Sequence, residues 1–330
     1  LYSGGSEAVE SALRLARSYT KKHEVISFWG GFHGKTAGVL GLMGSDFKHG
    51  LGPMMPGQHL VPYPDCYRCP FKLEPQSCGL ACVDFLRQAI KHQTTGSIAA
   101  ILVEPIQGTN GNVIPPAGFL PAVRDIAREQ GALLILDEMI TGFGRSGTMW
   151  GQQHFGVTGD ILTFGKGVGS GFPVTGLIST DEIVQAEPWS RPSFSSSSYG
   201  GGPLAAAAAN AVTRTIVEDR LHDNARVVGE AMLAALQLFK EKYRCVGDVR
   251  GKGLMLAVEL VKDRKTKEPL DKADCQLLFH ECARRGLLSM IYAPRVRINP
   301  PLVITREQAL EGVAILDEAL AAFEARRGRA

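Results

Sequence analysis

The sequence predicts an α/β protein, with a mostly parallel sheet covered by helices on both faces and a smaller α+β domain at its C-terminal end. Short apolar runs without polar alternation (Glu24 to Trp29, Ser97 to Val103, Ala132 to Leu136 and Ile161 to Phe164) read as strands buried on both faces. The stretch from Pro116 to Gln130 is amphipathic at helical spacing, and repeated strand–helix–strand order calls for parallel crossovers. Beyond about Leu204 the pattern changes to long helices through Tyr243, an alternating run in CVGDVRGKGLMLAVELV, and a helix from about Lys272 to Arg285. The expected division is therefore a large domain over 1–221 and a small one over 222–330.

Composition bounds the chain before any motif does. With 330 residues, 45% hydrophobic and 21% charged, it can bury a large core. It reads as a soluble cytoplasmic globular protein, since no apolar stretch approaches the roughly 20 residues of a membrane span and no basic-then-apolar leader opens it. The net charge of +3 comes from 36 basic and 33 acidic residues dispersed along the sequence, which gives no nucleic-acid footprint. Small molecules and a second copy of the chain are the expected partners.

In chain order, Ser3, Gly4, Gly5 and Ser6 precede a run in which Val9, Leu13 and Ala16 recur at helical spacing. Free N–H groups and the helix dipole make such a turn an anion site, to which the Ser6 hydroxyl adds a donor; alone, it would equally be a simple Ser cap. The first strand runs into GGFHGKT, a glycine-rich loop presenting Phe32 and His33, where an aromatic ring could stack on a planar ligand. Residues 62–82 hold Cys66, Cys69, Cys78 and Cys82 in a Pro-rich stretch, read as a surface loop. Short thiol spacing suits zinc or an iron–sulfur cluster, but the middle gap is shorter than in common zinc ribbons; reduced structural cysteines and a disulfide-stapled loop are the other readings. No metal is assigned. Cys245, Cys275 and Cys282 read as isolated core thiols.

The next strand ends at Glu104 in VEPIQGTNG, and the strand after the crossover helix ends at Asp137. Ligands in parallel sheets gather at the carboxyl ends of strands. The run Ile161 to Phe164 leads to Lys166, set between Gly165 and Gly167, where backbone without Cβ atoms admits a bulky planar group. A lysine amine and a buried carboxylate at one sheet edge suit pyridoxal 5′-phosphate (PLP): the amine forms a Schiff base and the carboxylate keeps the pyridine nitrogen protonated.

These motifs, DEMITGFGRSG and TFGKGVGSGFP above all, resemble the class III (ω-amino acid) aminotransferases, PLP-dependent enzymes of fold type I, over essentially all 330 residues. The resemblance implies ping-pong transamination from an amino acid or ω-amine to an α-keto acid, with Lys166 and Asp137 catalytic. It places the cofactor phosphate on Gly5 and Ser6, the stacking aromatic at Phe32 beside His33, and a supporting carboxylate at Glu104. It places Ser198, in RPSFSSSSYGGGP, at the phosphate of a partner subunit, implying a homodimer. Arg297, in RINPPL, matches the arginine that grips the substrate's α-carboxylate with a bidentate fork. Two positions depart from well-defined relatives. Thr109 stands where 4-aminobutyrate aminotransferases carry a Glu that gates the arginine, and Ile140 stands where several relatives carry a Gln at the cofactor's ring hydroxyl. A decarboxylase of the dialkylglycine type, a racemase or an aminomutase would share these motifs, and a binding protein that kept the fold is the non-enzymatic alternative. The chain starts at a motif that lies well inside relatives of this family, so an N-terminal segment contributing to the substrate pocket is expected to precede it.

Overall fold

The computed structural model describes residues 1–327. Its contacts divide it into two units, one of 1–110, 115–143 and 149–219, the other of 111–114, 144–148 and the chain from Arg220 on. The boundary near 219/220 compares with the expected division after 221, and the two short inserts were not foreseen.

In the first unit six strands form one sheet among the described residues: β1 (Glu24–Phe28), β2 (Gln58–Val61), β3 (Ile98–Val103), β4 (Leu133–Asp137), β5 (Ile161–Phe164) and β6 (Gly176–Ser179). Their order is β2-β1-β3-β4-β5-β6. The first five run parallel, and β6 turns back antiparallel on β5. Every residue of β1, β3, β4 and β5 is buried, which is why these strands read as unbroken apolar runs. Successive side chains alternate between faces. Val25, Ala100, Leu102, Leu133, Ile135 and Ile161 pack with Ala8, Val9, Leu13 and Ala16 of the helix Gly5–Thr20. On the other face Phe28 meets Phe119 of the helix Phe119–Glu129 edge to face at 5.4 Å. Removing a large side chain from such a layer, as in Ile101→Ala, costs about 2–5 kcal/mol because the parallel neighbours cannot close the void.

Strands β2 and β6 and the helix Ala81–Gln93 escaped the sequence reading. β2 is only partly buried over Gln58–Leu60, and Ile178 of β6 is exposed, so neither carries the apolar run that marks the central strands. Cys82 lies in the first turn of the helix Ala81–Gln93, so the loop read over 62–82 ends just short of it.

The second unit is antiparallel. Strands β7 (Val246–Lys252), β8 (Met255–Asp263), β10 (Met290–Tyr292) and β11 (Arg295–Ile298) lie in the order β10-β11-β8-β7, with β9 (Glu268–Pro269) paired to β8. The helices Leu221–Gln237, Lys272–Arg284 and Arg306–Arg327 cover a core that includes Met232, Leu256, Val258, Leu278, Leu316 and Phe323. The long helical pattern expected over 204–243 is broken at Arg220, which takes left-handed backbone at φ 50°, and again near Leu238. Glu259 of β8 is fully buried, and its charge is met by Arg250 at 2.8 Å and Arg295 at 3.0 Å.

Candidate active site

Parallel strands bring their carboxyl ends to one edge, and four of the expected residues follow from that. Asp137 is the last residue of β4 and pairs in register with Thr163 of β5. Lys166 opens the short 3-10 turn Lys166–Gly169 after β5, and the loop following β1 carries Phe32 and His33. The helix Gly5–Thr20 presents its N-terminus to the same place. Gly5, Ser6, Phe32, His33, Asp137 and Lys166 line one cavity of about 210 Å³, together with Val9, Gly34, Met139 and Thr175.

Asp137 is 2% exposed and both of its oxygens have partners. Oδ1 accepts from the Met139 N–H at 3.1 Å and the Thr163 hydroxyl at 3.2 Å. Oδ2 lies 2.7 Å from His33 Nδ1, and His33 is itself 3% exposed. The imidazole and the strand register thus fix the carboxylate's direction.

Glu104 does not line the cavity but holds its wall. It accepts from the Phe32 N–H at 2.9 Å and the Gly108 N–H at 3.0 Å, tying the two loops that follow β1 and β3. Burial raises its carboxyl above the usual range, and the bonds from Phe32 and Gly108 work against that rise.

At the helix N-terminus the first N–H groups lack intrahelical partners. The Glu7 carboxylate takes the N–H of Ser3 at 3.0 Å and of Gly4 at 3.4 Å, upstream of the cavity. The Ser6 hydroxyl accepts from the Lys35 N–H at 3.2 Å, and Gly34 closes on it so tightly that a Cβ there would come within 2.2 Å of Ser6 Oγ. With φ at +127° as well, position 34 admits glycine alone. Phe32 stands edge-on to Phe47 at 5.7 Å, with the Lys35 ammonium 4.9 Å from the Phe47 ring.

Thr109 and Ile140 do not line this cavity; the Ile140 side chain packs on Gly108, the residue before Thr109. Ser198 lies on an exposed stretch and Arg297 in the second unit, and neither lines this cavity. Arg297 lines a cavity of about 550 Å³ within the second unit, its guanidinium 5.6 Å from the Tyr292 ring. Cys66, Cys69 and Cys78 are half-buried free thiols, and among the described residues no cluster of three His, Cys, Asp or Glu is arranged for a metal ion. Cys245, Cys275 and Cys282 are buried free thiols in the second unit.

Sequence reasoning missed Thr163, Met139 and Thr175. The polar Thr163 inside the apolar ILTF was the available signal for the first. Thr175 bonds the Gly4 carbonyl at 3.0 Å, and that pairing follows from the unforeseen antiparallel return of β6.

Residues 1–320 match the family described as Aminotransferase class-III. A leucine/methionine racemase of Thermococcus litoralis is 37% identical across 97% of this chain and 72% of its own length. A probable 4-aminobutyrate aminotransferase of Bacillus subtilis is 33% identical across 97% of the chain and 74% of its own. Among solved structures, a PLP-bound amine transaminase from an uncultivated Pseudomonas species superposes with a TM-score of 0.92 at 37% identity, covering 97% of this chain and 76% of that one.

Proposed function

The chain belongs to the class-III aminotransferases, and from that premise we propose how its own residues divide the work of a PLP-dependent transaminase. The chemistry of the cavity suits the cofactor: a helix N-terminus with a serine for the phosphate, a buried carboxylate for the ring nitrogen, and an amine at the mouth. When bound, PLP supplies an aldehyde for amine exchange and a protonated ring that accepts electrons. Lys166 is its covalent anchor, and once released its neutral Nζ takes and returns the substrate's Cα proton. Asp137 keeps the ring nitrogen protonated, held in place by His33 and Thr163. Gly5 and Ser6 would bind the phosphate, Phe32 would cover the ring, Glu104 fixes the loop that carries Phe32, and Ile140 is assigned to the cofactor's surroundings in place of a polar partner. The observation that carries the reading is that six residues chosen for these roles line one cavity. In Lys166→Ala the absorption band of the covalently held cofactor disappears and turnover falls by more than about 10³-fold, the range of proton-transfer and nucleophilic catalysis. Retention of both would sink the assignment.

We assign 1–221 as the cofactor domain and 222–330 as the small domain of a cytoplasmic homodimer. No helix among the described residues is long and apolar enough to cross a membrane. The dimer is supported by exposed Phe172, Phe194, Tyr199 and Leu204, and by the helix Pro203–Glu218, in which Ile216 is the one buried residue. Arg297 is assigned to the α-carboxylate of the acceptor. With Thr109 in place of a gating glutamate, pyruvate, glyoxylate or 2-oxoglutarate are the expected acceptors. Arg297→Ala then raises KM for a keto acid roughly a hundredfold, the worth of one bidentate charge-assisted pair, and far less for a simple aldehyde. Equal effects on both acceptors would remove Arg297 from that role.

The racemase relative at 37% identity supports one second reading, inversion at Cα on the same residues. Racemisation of a single enantiomer without any keto acid would establish it; strict dependence on an acceptor removes it.

A further inference from the structure

The stretch from Arg191 to Gly202, RPSFSSSSYGGG, has the composition of a flexible linker. Its contacts contradict that composition. The Tyr2 hydroxyl donates to the Ser195 carbonyl at 2.9 Å, and the Ser11 hydroxyl donates to Tyr2. Arg14 Nη2 donates to Ser11 Oγ at 3.1 Å, while Nη1 donates to the Phe194 carbonyl at 3.2 Å. The donors run one way, from a guanidinium through two hydroxyls to a carbonyl, so each strengthens the next.

Glu7 holds the segment that carries Tyr2, accepting from the Ser3 N–H at 3.0 Å and the Gly4 N–H at 3.4 Å. Burial alone would raise its carboxyl, yet bonds from the Ser197 hydroxyl and the N–H groups of Ser3 and Gly4 outweigh burial and hold it below the usual range. Close packing ties in the strap as well: a Cβ on Gly200 would sit 2.3 Å from the Leu1 carbonyl oxygen and 2.7 Å from Tyr2 Cα. Tyr2 in turn pairs backbone to backbone with Thr175, a residue of the cavity wall.

Glu7, Ser11 and Arg14 are four and three residues apart, so they share one face of the helix Gly5–Thr20. The first turn of that helix lines the cofactor cavity. One helix therefore sets the phosphate site and the tethered strap together. Ser198 lies between Ser195, whose carbonyl is held by Tyr2, and the tightly packed Gly200, and it is exposed.

We propose that Tyr2, Ser11, Arg14 and Glu7 are positioning residues that hold the strap in its working shape, so that Ser198 meets the cofactor phosphate of a second copy already ordered. This deepens, and rests on, the reading of Ser198 as a phosphate ligand for the partner subunit. Conformational entropy lost at folding is not lost again when the phosphate binds, so the tether raises cofactor affinity without touching the cofactor.

The test is a double-mutant cycle on the purified dimer, read as the dissociation constant for PLP from absorbance after dialysis, with sedimentation to check assembly. Ser198→Ala is expected to weaken PLP about tenfold, the value of one hydrogen bond to a charged group. Tyr2→Phe, which removes one oxygen and keeps the ring, is expected to weaken it several-fold, yet to add nothing in the Ser198→Ala background. An unchanged PLP affinity in Tyr2→Phe, or an effect that simply adds to that of Ser198→Ala, overturns the positioning role while leaving Ser198 a ligand. No effect of Ser198→Ala overturns the ligand reading itself, and the positioning role with it. Should Tyr2→Phe fail to fold, Ser11→Ala interrupts the same relay and answers the same question.

Discussion

His33 is 3% exposed and packs its ring against a buried carboxylate. Its buried ring nitrogen lies 2.7 Å from Asp137, and Glu104 is buried nearby. Removing that ring nitrogen leaves a buried carboxylate one partner short. His33→Phe is therefore expected to lower kcat/KM about ten- to hundredfold, as one hydrogen bond to a charged group is worth roughly 1.5–3 kcal/mol. Steady-state kinetics beside a thermal melt checks it, since an equal loss of activity with a collapsed melt would mean misfolding instead. At this scale Asp137 and Lys166 were legible because each interrupts or follows an apolar run with a charge, a pattern a core strand does not tolerate without a reason. Thr163 and Met139 were not, because their part in holding Asp137 comes from cross-strand register and from a backbone N–H, neither of which any single residue type announces.

The segment after β4 is organised by Glu138. This carboxylate is 1% exposed and accepts from the Gly151 N–H at 2.8 Å, the Gln152 N–H at 2.7 Å and the Thr141 hydroxyl, closing the loop that leaves the cavity. Burial outweighs those three donors and pushes its pKa up to about 7. Because the folded value is raised, the stability it contributes is present below the unfolded value near 4.5 and is lost as pH rises through about 7. Melting curves between pH 5 and 8 should show wild type losing roughly 2–3 kcal/mol relative to Glu138→Gln. A constant difference would refute the shift. Glu24 and Asp223, both held below their usual values, act at lower pH, and the raised Glu104 carboxyl is common to both proteins, so the difference between them reports Glu138. The central strands were readable since each is buried on both faces, and the half-exposed β2 and β6 were hidden for the opposite reason.

For the molecule as a whole, the α/β class and a change of pattern beyond about Leu204 could be read from apolar periodicity, whereas the inserts 111–114 and 144–148 could not. They are too short to carry a period, and their membership comes only from distant partners. The proposed dimer predicts that sedimentation finds an assembly of two chains at micromolar concentration, and that charge placed on the exposed apolar surface, as in Leu204→Glu, yields monomers that lose PLP; a fully active monomer would end that reading. The inserts carry a further meaning for synthesis. The Gly111 carbonyl accepts from Arg250, Asn112 donates to the Leu256 carbonyl, and the Arg145 carbonyl accepts from Leu254. On the ribosome, residues 111–114 and 144–148 emerge more than a hundred positions before the strands that satisfy them. The first unit therefore leaves the tunnel together with two stretches that belong to the second and still wait for the last third of the chain. A nascent chain arrested at residue 220 should be open to proteolysis at those two stretches and closed to it once β7 and β8 have been translated.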